Sequence, residues 1–488
     1  MGSVRRGFAI TTVERQLSFL IQMAVTIVVS RLLTPAEIGV WGVAMAATGL
    51  LLGLREFATE TFLIQRPKLS REEVQAAFTL MLIVSFLIFS VLMLLAPWLA
   101  NFYRDQGVVP VIRVAALAVL LEVITTPLVA LMRRHMAFGD VAVVNLTRGV
   151  TIAAVTVGLA WLGFSYMSFA WGWLAGAFLT GVVSICLRPD TWVYRPHFRG
   201  WKEMLAFGGY SGVNVILYKI YETLPALLLG RTLSLDAVGN YNRAALVSQL
   251  PNNILLSGIG TVLLPALSAD VRAGQDVKDT FFRAVSIFTA FQWPGLIMLA
   301  IFAHSLVSLL LGAQWLQTVP LIQIMALAAL PSFATELAFP VLVAVGAMRD
   351  VLWRALLSWP TSAVIIGIAA QFGLMAVVLS LFVTFPLQAV ISLCLVRRHL
   401  AFEWRDLGKA CWKSAVIAAA SAAGPLAISA WWGFGAAPSI IVPLLAAGAA
   451  AAGWIVAVRY TQHELLDEIR RAANFVMRLW MEWSPRRR

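Results

Sequence analysis

Charged side chains inside long apolar stretches are the residues of this chain that could do chemistry. At the centre of a membrane helix, Arg, Lys or Asp costs about 2.5 to 3.5 kcal/mol, so these groups must pair, reach the surface or line a wet path. Arginine suits phosphate on such a path because its planar fork donates to two oxygens at once. The side chains predicted to bind substrate are Arg15, Gln22, Arg55, Arg148 and Lys219.

Most of these positions also have a structural interpretation. Lys219, the deepest cation, is three residues before Glu222, and this spacing also suits an ion pair on one helix face. Arg15 forms a polar streak with Gln22 in the first apolar stretch, and the alternative is that its guanidinium reaches back to the membrane surface. Arg55 ends the second stretch, where an anchor at the cytoplasmic surface is the alternative.

Three carboxylates are predicted candidates for coupling transport to an ion gradient. Glu122 and Glu336 lie in the middle of apolar stretches, and Glu222 accompanies Lys219. A carboxylate buried in a membrane either pairs with a cation or takes up a proton, because burial disfavours its charged form. Structural pairing is therefore the alternative at each position. For Arg148, both cavity lining and snorkelling to the surface remain open.

The composition is that of a membrane protein without an enzymatic signature. Of 488 residues, 60% are hydrophobic and 12% are charged, whereas soluble domains have about a quarter of their residues charged. No GxGxxG after a strand, Walker A, HExxH or CxxC motif occurs, so an enzyme is not expected. The three cysteines and five histidines have no metal-ligand spacing, so neither a metal nor another cofactor is predicted.

Fourteen apolar stretches must position the charged residues. A membrane-spanning helix needs about 20 mostly apolar residues to cross the hydrocarbon core. The predicted fold class is therefore an all-α integral membrane protein with about 14 transmembrane helices. The predicted helices cover residues 8–31, 38–54, 77–101, 108–131, 141–162, 165–187, 203–230, 238–265, 281–311, 318–347, 351–371, 373–396, 411–430 and 438–458.

The net charge of +13 follows the positive-inside rule. With the N-terminus in the cytoplasm, 29 of the 37 Lys and Arg residues fall on the inner side and three fall in outer loops. This asymmetry predicts that both termini are cytoplasmic, and it explains the basic pI without a nucleic-acid partner. The basic tail 460–488 has helical apolar spacing, which predicts an amphipathic helix on anionic lipid, with a solvated tail as the alternative.

An internal repeat divides the chain. Residues 109–120 and 319–330 are identical at seven of twelve positions, and 30–44 aligns with 230–244 at a similar offset. Because six helices are an even number, both copies enter the membrane from the same side, as in transporters with two parallel lobes around a central cavity. The predicted domains are two six-helix lobes, two additional helices and a cytoplasmic tail, at 1–200, 201–400, 401–459 and 460–488.

Several segments resemble the Wzx-type polysaccharide transporter family. That family belongs to the superfamily that also contains multidrug and toxin extruders and MurJ-type lipid II flippases. The resemblance covers about residues 8–400, and Arg15 and Arg55 correspond to recurrent basic positions in the first two helices of the family. The segments that carry it are 19–44, 54–73, 230–254 and 263–268.

The resemblance implies a flippase that translocates undecaprenyl-pyrophosphate-linked oligosaccharide repeat units across the bacterial inner membrane by alternating access, for surface polysaccharide export. It also implies coupling to a proton or sodium gradient. The implied partners are the lipid-linked glycan, membrane lipids, a polysaccharide polymerase and glycosyltransferases, and we expect a monomer. Two alternatives remain: a drug or lipid II exporter of the same fold, and a non-transporting scaffold of a polysaccharide synthesis complex.

Overall fold

The structure, a computed structural model, describes residues 2–55, 60–66, 69–198, 201–432, 441–466 and 470. Within these ranges all regular structure is helical, as expected where backbone groups must be hydrogen-bonded inside a membrane. The α-helices are α1 (Gly2–Leu32), α2 (Pro35–Arg55), α3 (Glu60–Gln65), α4 (Arg71–Tyr103), α5 (Val108–Arg134), α6 (Phe138–Trp161), α7 (Met167–Leu187), α8 (Trp201–Thr232), α9 (Leu235–Ser248), α10 (Leu250–Ala273), α11 (Val277–Leu306), α12 (Thr318–Ala328), α13 (Phe333–Ala344), α14 (Met348–Ala369), α15 (Leu374–Leu379), α16 (Leu381–Leu400), α17 (Trp404–Trp432) and α18 (Ile441–Tyr460).

The chain is a multi-pass integral membrane protein, as predicted. Among the described residues, eleven helices are long and apolar enough to cross a membrane, and there are twelve if the bent pair α12–α13 is one span. Helix α8 and the pair α9–α10 coincide with predicted spans but do not pass this test of length and hydropathy. They carry polar side chains such as Lys219 and Asn252. The predicted count of fourteen is not reached by this criterion and stays a prediction.

Two predicted helices are interrupted beside prolines. The predicted helix 318–347 consists of α12 and α13, which are bent by 41° at the 3-10 turn Leu330–Ser332. Pro331 lies in that turn, and a proline removes one backbone donor and clashes with the preceding turn of an α-helix. The predicted helix 238–265 likewise divides at Gln249, and Pro251 is the second residue of α10. Half-helices of this kind leave backbone carbonyls without intrahelical partners.

Helix α4 begins six residues before its predicted start. Ser70 and Glu73 form a capping box, in which the Glu73 N–H donates to Ser70 Oγ (3.1 Å) and the Ser70 N–H donates to Glu73 Oε2 (2.8 Å). These bonds satisfy backbone donors of the first turn that would otherwise lack partners. The capping residues extend the helix beyond its apolar stretch, which is the only part that hydropathy detects.

The chain forms two compact units that do not follow its linear order. The first consists of Met1–Arg243, Ser308–Thr318 and Ala355–Ser380. The second consists of Ala244–Val307, Val319–Arg354 and Leu381–Arg488. The predicted lobes describe sequence repeats rather than contacts, so the lobe boundaries and the central cavity stay predictions. Most of the predicted tail helix 460–488 lies outside the described residues.

In the first unit, α2 and α9 cross at two equivalent glycines. A Cβ atom on Gly39 would overlap the Leu235 carbonyl, and a Cβ atom on Gly239 would overlap the Pro35 carbonyl. Gly39 and Gly239 are 200 positions apart, and so are Pro35 and Leu235. This distance is the offset at which 30–44 aligns with 230–244. The crossing is therefore reciprocal, with each repeat copy contributing a glycine and a backbone carbonyl. Buried apolar residues of α4, α5 and α8 pack around this region.

Candidate functional site

Glu122 on α5 is the centre of a polar cluster in the first unit. Its carboxylate accepts hydrogen bonds from Arg55 Nη2 (2.9 Å), from Trp173 Nε1 (2.9 Å) and from Arg148 Nη2. Arg55 also donates from Nη1 to the Val119 carbonyl (3.4 Å), one turn before Glu122. Helices α2, α5, α6 and α7 thus each bring one side chain to a single point.

The cluster carries an excess of positive charge. Two guanidinium groups share one carboxylate, so their charges sum to one positive charge at the cluster. The Glu122 side chain is only 9% exposed, that of Arg55 is 19% exposed and that of Arg148 is 43% exposed. Removing a charge from water is costly unless partners replace the lost hydration. Glu122 therefore positions two cations, and the guanidinium of Arg148 remains the most accessible to a further anion.

Lys219 on α8 packs against α2 and is paired with Glu222. Its Nζ atom is 2.8 Å from Glu222 Oε2, so the i,i+3 ion pair that the spacing suggested is present. A Cβ atom on Gly53 would lie 3.4 Å from Lys219 Cγ, which places Lys219 against α2. Gly53 precedes Arg55 by two residues, or about 3 Å along the helix axis. Lys219 is therefore a third cation at a similar height along α2, on a different face of that helix from Arg55.

A group of three aromatic rings includes Tyr218, the neighbour of Lys219. The Tyr221 and Trp359 ring centroids are 4.8 Å apart, and those of Tyr218 and Trp359 are 5.4 Å apart. Lys219 Nζ is 5.9 Å from the centre of the Tyr218 ring. Tyr218 is 42% exposed, so one edge of this aromatic group is open. Rings of this kind combine an apolar face with a polar tip, which suits contacts with partly polar molecules.

The remaining predicted substrate residues lie apart from the cluster. Arg15 and Gln22 are both exposed on α1. They are seven residues apart, which puts them on the same helix face. No contact joins either of them to Glu122 within the described residues. Their part in substrate binding stays a prediction.

Glu336, the third predicted coupling residue, lies on α13 in the second unit. Its carboxylate interacts electrostatically with Arg354 on α14. Arg354 is only 7% exposed, and its Nη1 donates to the Thr335 carbonyl (3.3 Å). Glu122, Glu222 and Glu336 thus each have a cationic neighbour. Glu122 and Glu222 form ion pairs, and the roles of all three carboxylates in ion coupling stay predictions.

Trp173 is the member of the cluster that the sequence pattern did not reveal. It is 8% exposed and donates its indole N–H to Glu122. A buried indole nitrogen usually finds an acceptor, and carboxylates are the strongest acceptors available inside a membrane. The available signal was the coexistence of a mid-helix glutamate and several tryptophans, and it did not identify which tryptophan pairs with Glu122.

The arginines at helix ends show a different arrangement. Arg31 donates from Nε to the Leu310 carbonyl (3.3 Å), and Arg231 donates to the Phe102 carbonyl (2.9 Å). Carbonyls at helix ends lack intrahelical partners, so these arginines serve as caps. Their donors are directed to backbone oxygen rather than to a shared carboxylate. The shared carboxylate, and not the position within the helix, separates the cluster from ordinary capping, because Arg55 also ends its helix.

Comparison with known families identifies the group to which these features belong. A family model described as "Polysaccharide biosynthesis protein" matches residues 28–320, which is more than half of the chain. The chain belongs to this polysaccharide biosynthesis family. The matched range includes Arg55, Glu122, Arg148 and Lys219, so the charged residues of the cluster all lie within the family region.

Individual relatives agree with this membership. The chain is 22% identical over 321 residues to the lipopolysaccharide biosynthesis protein WzxC of Escherichia coli (strain K12), covering 64% of this chain and 63% of that protein. It is 23% identical over 360 residues to the succinoglycan biosynthesis transport protein ExoT of Rhizobium meliloti (strain 1021), covering 73% and 72%. The alignment with an uncharacterized membrane protein in the cps region of Klebsiella pneumoniae covers 63% of that protein. The chain thus spans less than two thirds of the length of several relatives.

Solved structures share the fold. The lipid II flippase MurJ in an inward closed conformation matches with a TM-score of 0.76 at 10% identity, covering 92% of this chain and 98% of that one. An inward-facing multidrug resistance MATE family transporter matches with a TM-score of 0.62 at 14% identity, covering 79% and 94%. At these identities the matches establish the fold alone. The predicted all-α membrane fold class is confirmed.

Proposed function

We propose that this protein is a flippase that moves undecaprenyl-pyrophosphate-linked oligosaccharide repeat units across the bacterial inner membrane by alternating access. Its family is a polysaccharide biosynthesis family, and its fold is that of transporters. The observation that carries the proposal is the cluster of Arg55 and Arg148 on Glu122, to which Lys219 adds a further cation packed against α2. Such a cluster of cations suits an anionic headgroup that must leave water.

The cluster matches the chemistry of a pyrophosphate. Moving this charged group through hydrocarbon alone is prohibitive because nothing there replaces its hydration. A guanidinium has five N–H donors, and Glu122 and the Val119 carbonyl use only some of those on Arg55 and Arg148. The half-exposed Arg148 supplies the free donors for phosphate oxygens, and Glu122 holds the guanidinium in place before the cargo arrives. Charge-assisted bonds of this kind are the strong ones.

The glycan part of the cargo would lie against the aromatic group. Tyr218 lies beside the ammonium group of Lys219, and its ring and that of Tyr221 both contact Trp359. Sugar rings have an apolar face and polar edges, so they stack on aromatic faces while their hydroxyls bond to nearby polar groups. This arrangement favours a glycan-bearing cargo over a purely apolar drug.

Arg148 gives the sharpest test of the binding role. We expect Arg148→Ala to reduce flipping of a fluorescent lipid-linked oligosaccharide in proteoliposomes at least about tenfold, because about 1.5 to 3 kcal/mol of charge-assisted hydrogen bonding is lost. Arg148→Lys should retain partial activity, since it keeps the charge and loses the fork. The readout is the accessible fraction of the lipid with time.

Arg113 on α5, the helix that carries Glu122, provides the matched control. It is exposed and lies nine positions before Glu122, and no contact joins it to the cluster within the described part of the chain. Arg113→Ala should therefore flip the lipid at the wild-type rate. Equal loss of flipping in Arg113→Ala and Arg148→Ala would contradict the proposed site, and so would full activity in Arg148→Ala.

Cargo identity is tested by competition. In the same proteoliposomes, unlabelled undecaprenyl-pyrophosphate-linked glycan should slow flipping of the fluorescent lipid, whereas a cationic drug should not. Competition by the drug alone would favour the alternative of a multidrug exporter. If folded protein flips no lipid faster than protein-free liposomes do, the result would favour a scaffold without transport activity.

The cellular setting is part of the proposal. We place the protein in the bacterial inner membrane with both termini in the cytoplasm, working with a polysaccharide polymerase and glycosyltransferases. Coupling to a proton or sodium gradient belongs to the same proposal, with Glu122, Glu222 and Glu336 as the candidate residues. Genes for glycosyltransferases and a polymerase beside its own would support this setting.

A further inference from the structure

A groove lies between α5, α6 and α7 in the first unit. Its volume is about 610 Å³, which falls within the range of about 300 to 1,000 Å³ that is usual for small-molecule sites. Its lining consists of apolar and aromatic side chains, among them Leu117 of α5, Val155 of α6 and Leu174 of α7. All three helices are long and apolar enough to cross a membrane. The groove therefore lies in the hydrocarbon region and suits an apolar occupant.

The groove is open to the surrounding lipid. Leu117, Trp171 and Phe178 line it, and all three side chains are exposed. The walls of an unfilled space lose dispersion contacts, and the material that fills such a space at this depth of a bilayer is hydrocarbon. A hydrocarbon chain is therefore the kind of occupant that the groove fits.

The turn between α6 and α7 places one end of the groove at the membrane surface. Phe164 in this turn lines the groove, and the nearby Trp161 ends α6 with its side chain exposed. Tryptophan is enriched at the level of the lipid headgroups. The groove therefore extends from the headgroup level into the hydrocarbon core.

Arg113 on α5 lies at this same end of the groove. It precedes Leu117 by four residues and Leu120 by seven, so it lies on the same face of α5, about 6 Å and 10.5 Å nearer to the start of the helix. Its side chain is exposed, and no hydrogen bond or ion pair engages it within the described residues. An arginine stem extends along apolar surface and places its guanidinium among the headgroups. Arg113 is therefore available to an anion.

A cation at the end of an apolar groove matches an anionic phospholipid. A guanidinium binds phosphate through two parallel hydrogen bonds. A headgroup of net negative charge balances the charge of Arg113, whereas a zwitterionic headgroup brings a second cation to it. The proposed cargo is a different ligand, because Glu122 is nine positions from Arg113 and therefore lies on the opposite face of α5.

We propose that Arg113 and the groove between α5, α6 and α7 bind one anionic phospholipid of the bilayer, of the phosphatidylglycerol type. One acyl chain lies in the groove, and the phosphate accepts hydrogen bonds from Arg113. The bound lipid joins the three helices that line the groove. This site goes beyond the proposed flippase function. Because it lies on the opposite face of α5 from Glu122, its loss should leave the flipping rate unchanged.

Native mass spectrometry of the purified full-length protein in detergent measures lipid binding without cargo. Phosphatidylglycerol is titrated, and phosphatidylcholine with the same acyl chains forms a parallel series. We expect one phosphatidylglycerol to be retained per chain, with a Kd at least about tenfold lower than that of phosphatidylcholine. Arg113→Gln should raise the Kd for phosphatidylglycerol at least about tenfold and remove this preference, because the charged donors are lost.

Ala175 on α7 tests the groove itself. It lines the groove, so the ring in Ala175→Phe occupies the space of the acyl chain and should weaken binding of both lipids at least about tenfold. The matched controls are exposed positions outside the groove, namely Ala427→Phe on α17 and Arg459→Gln in the last turn of α18. Both controls should bind phosphatidylglycerol like the wild type.

An unchanged Kd in Arg113→Gln would overturn the site, and so would equal affinity of the wild type for the two lipids. Because Arg113 is exposed, this variant keeps the fold and decides the question even if Ala175→Phe fails to fold. Displacement of phosphatidylglycerol by added lipid-linked glycan would assign the groove to the cargo, and a dimer that dissociates in Ala175→Phe would assign it to a second copy. Either result would overturn the proposal. Because no flipping is measured, failure here is distinct from failure of the proposed flippase.

Discussion

Glu122 is the residue on which the candidate site depends. It holds two guanidiniums from different helices, and the indole of Trp173 adds a third hydrogen bond. Without its carboxylate, Arg55 and Arg148 would face each other with like charges inside the membrane. Loss of one partner of a buried pair costs more than loss of both, because it leaves an uncompensated charge.

Replacing Glu122 by glutamine should destabilise the protein. We expect Glu122→Gln to lower the free energy of unfolding by about 3 kcal/mol, the lower end of the range for a broken buried pair, because Arg148 is partly exposed. The measurement is thermal unfolding in detergent. The double variant Glu122→Gln with Arg55→Gln should recover part of the stability that Glu122→Gln loses. If the losses of the two single variants simply add in the double variant, the pairing of Glu122 with Arg55 is contradicted.

His463 gives the fold a pH-dependent contact after α18. It is 1% exposed, its Nε2 lies 3.1 Å from Ser286 Oγ, and its Nδ1 accepts from the Leu465 N–H (3.1 Å). Burial, together with the nearby charge of Lys413, lowers the pKa of His463 to about 4. The folded protein therefore favours the neutral ring, with the proton on Nε2 because Nδ1 accepts a hydrogen bond.

The pKa of His463 is 6.5 in the unfolded chain and about 4 in the folded chain. The stabilisation by the neutral ring should therefore be complete above pH 6.5 and lost as the pH falls from 6.5 towards 4. Because the pKa is lowered on folding, the unfolded chain takes up a proton first as the pH falls. The free energy of unfolding then decreases by up to about 1.4 kcal/mol per pH unit. His463→Asn keeps an acceptor and a donor but does not titrate. Its melting temperature should therefore fall less between pH 7 and pH 5 than that of the wild type, and identical pH profiles would contradict this assignment.

At the scale of elements, the crossing of α2 and α9 depends on glycine. Gly39 and Gly239 each meet a backbone carbonyl of the other repeat copy, which cannot move as the end of a flexible side chain can. A methyl group at either position forces the helices apart. Helical glycine is otherwise less favourable than alanine by about 1 kcal/mol.

Alanine at the crossing should therefore destabilise the protein. We expect Gly39→Ala and Gly239→Ala to lower the melting temperature, each by an amount equivalent to about 1 to 3 kcal/mol of overpacking. Gly49 on α2 is the control, because the nearest atom to its Cβ position is 3.9 Å away, at Thr223. Gly49→Ala should be neutral or stabilising, and equal behaviour of all three variants would contradict the close crossing.

At the scale of the whole molecule, orientation follows from the distribution of charge. The prediction places Cys186, one residue before the end of α7, at the cytoplasmic face, and this cysteine is exposed. The loop between α4 and α5 contains the exposed Gln106 and is predicted to lie on the opposite side. Positive charge at cytoplasmic ends determines the orientation of membrane helices.

Cysteine labelling tests the orientation. In a variant that keeps only Cys186, a membrane-impermeant maleimide should label inverted vesicles and not intact spheroplasts. A cysteine-free background with Gln106→Cys should show the reverse pattern. Labelling of Cys186 from outside would place the termini on the other side of the membrane.

Hydropathy and charge are local properties, so the sequence alone predicted the membrane class, the approximate positions of the helices, the repeat and the transporter family. The tertiary structure decided which charges meet. Glu122 is 67 residues from Arg55 and 26 from Arg148, and no local spacing predicts that four helices bring these groups and Trp173 together. It also decided the break at Pro331, since a membrane helix with a proline remains continuous or bends according to the neighbours that satisfy its freed backbone groups.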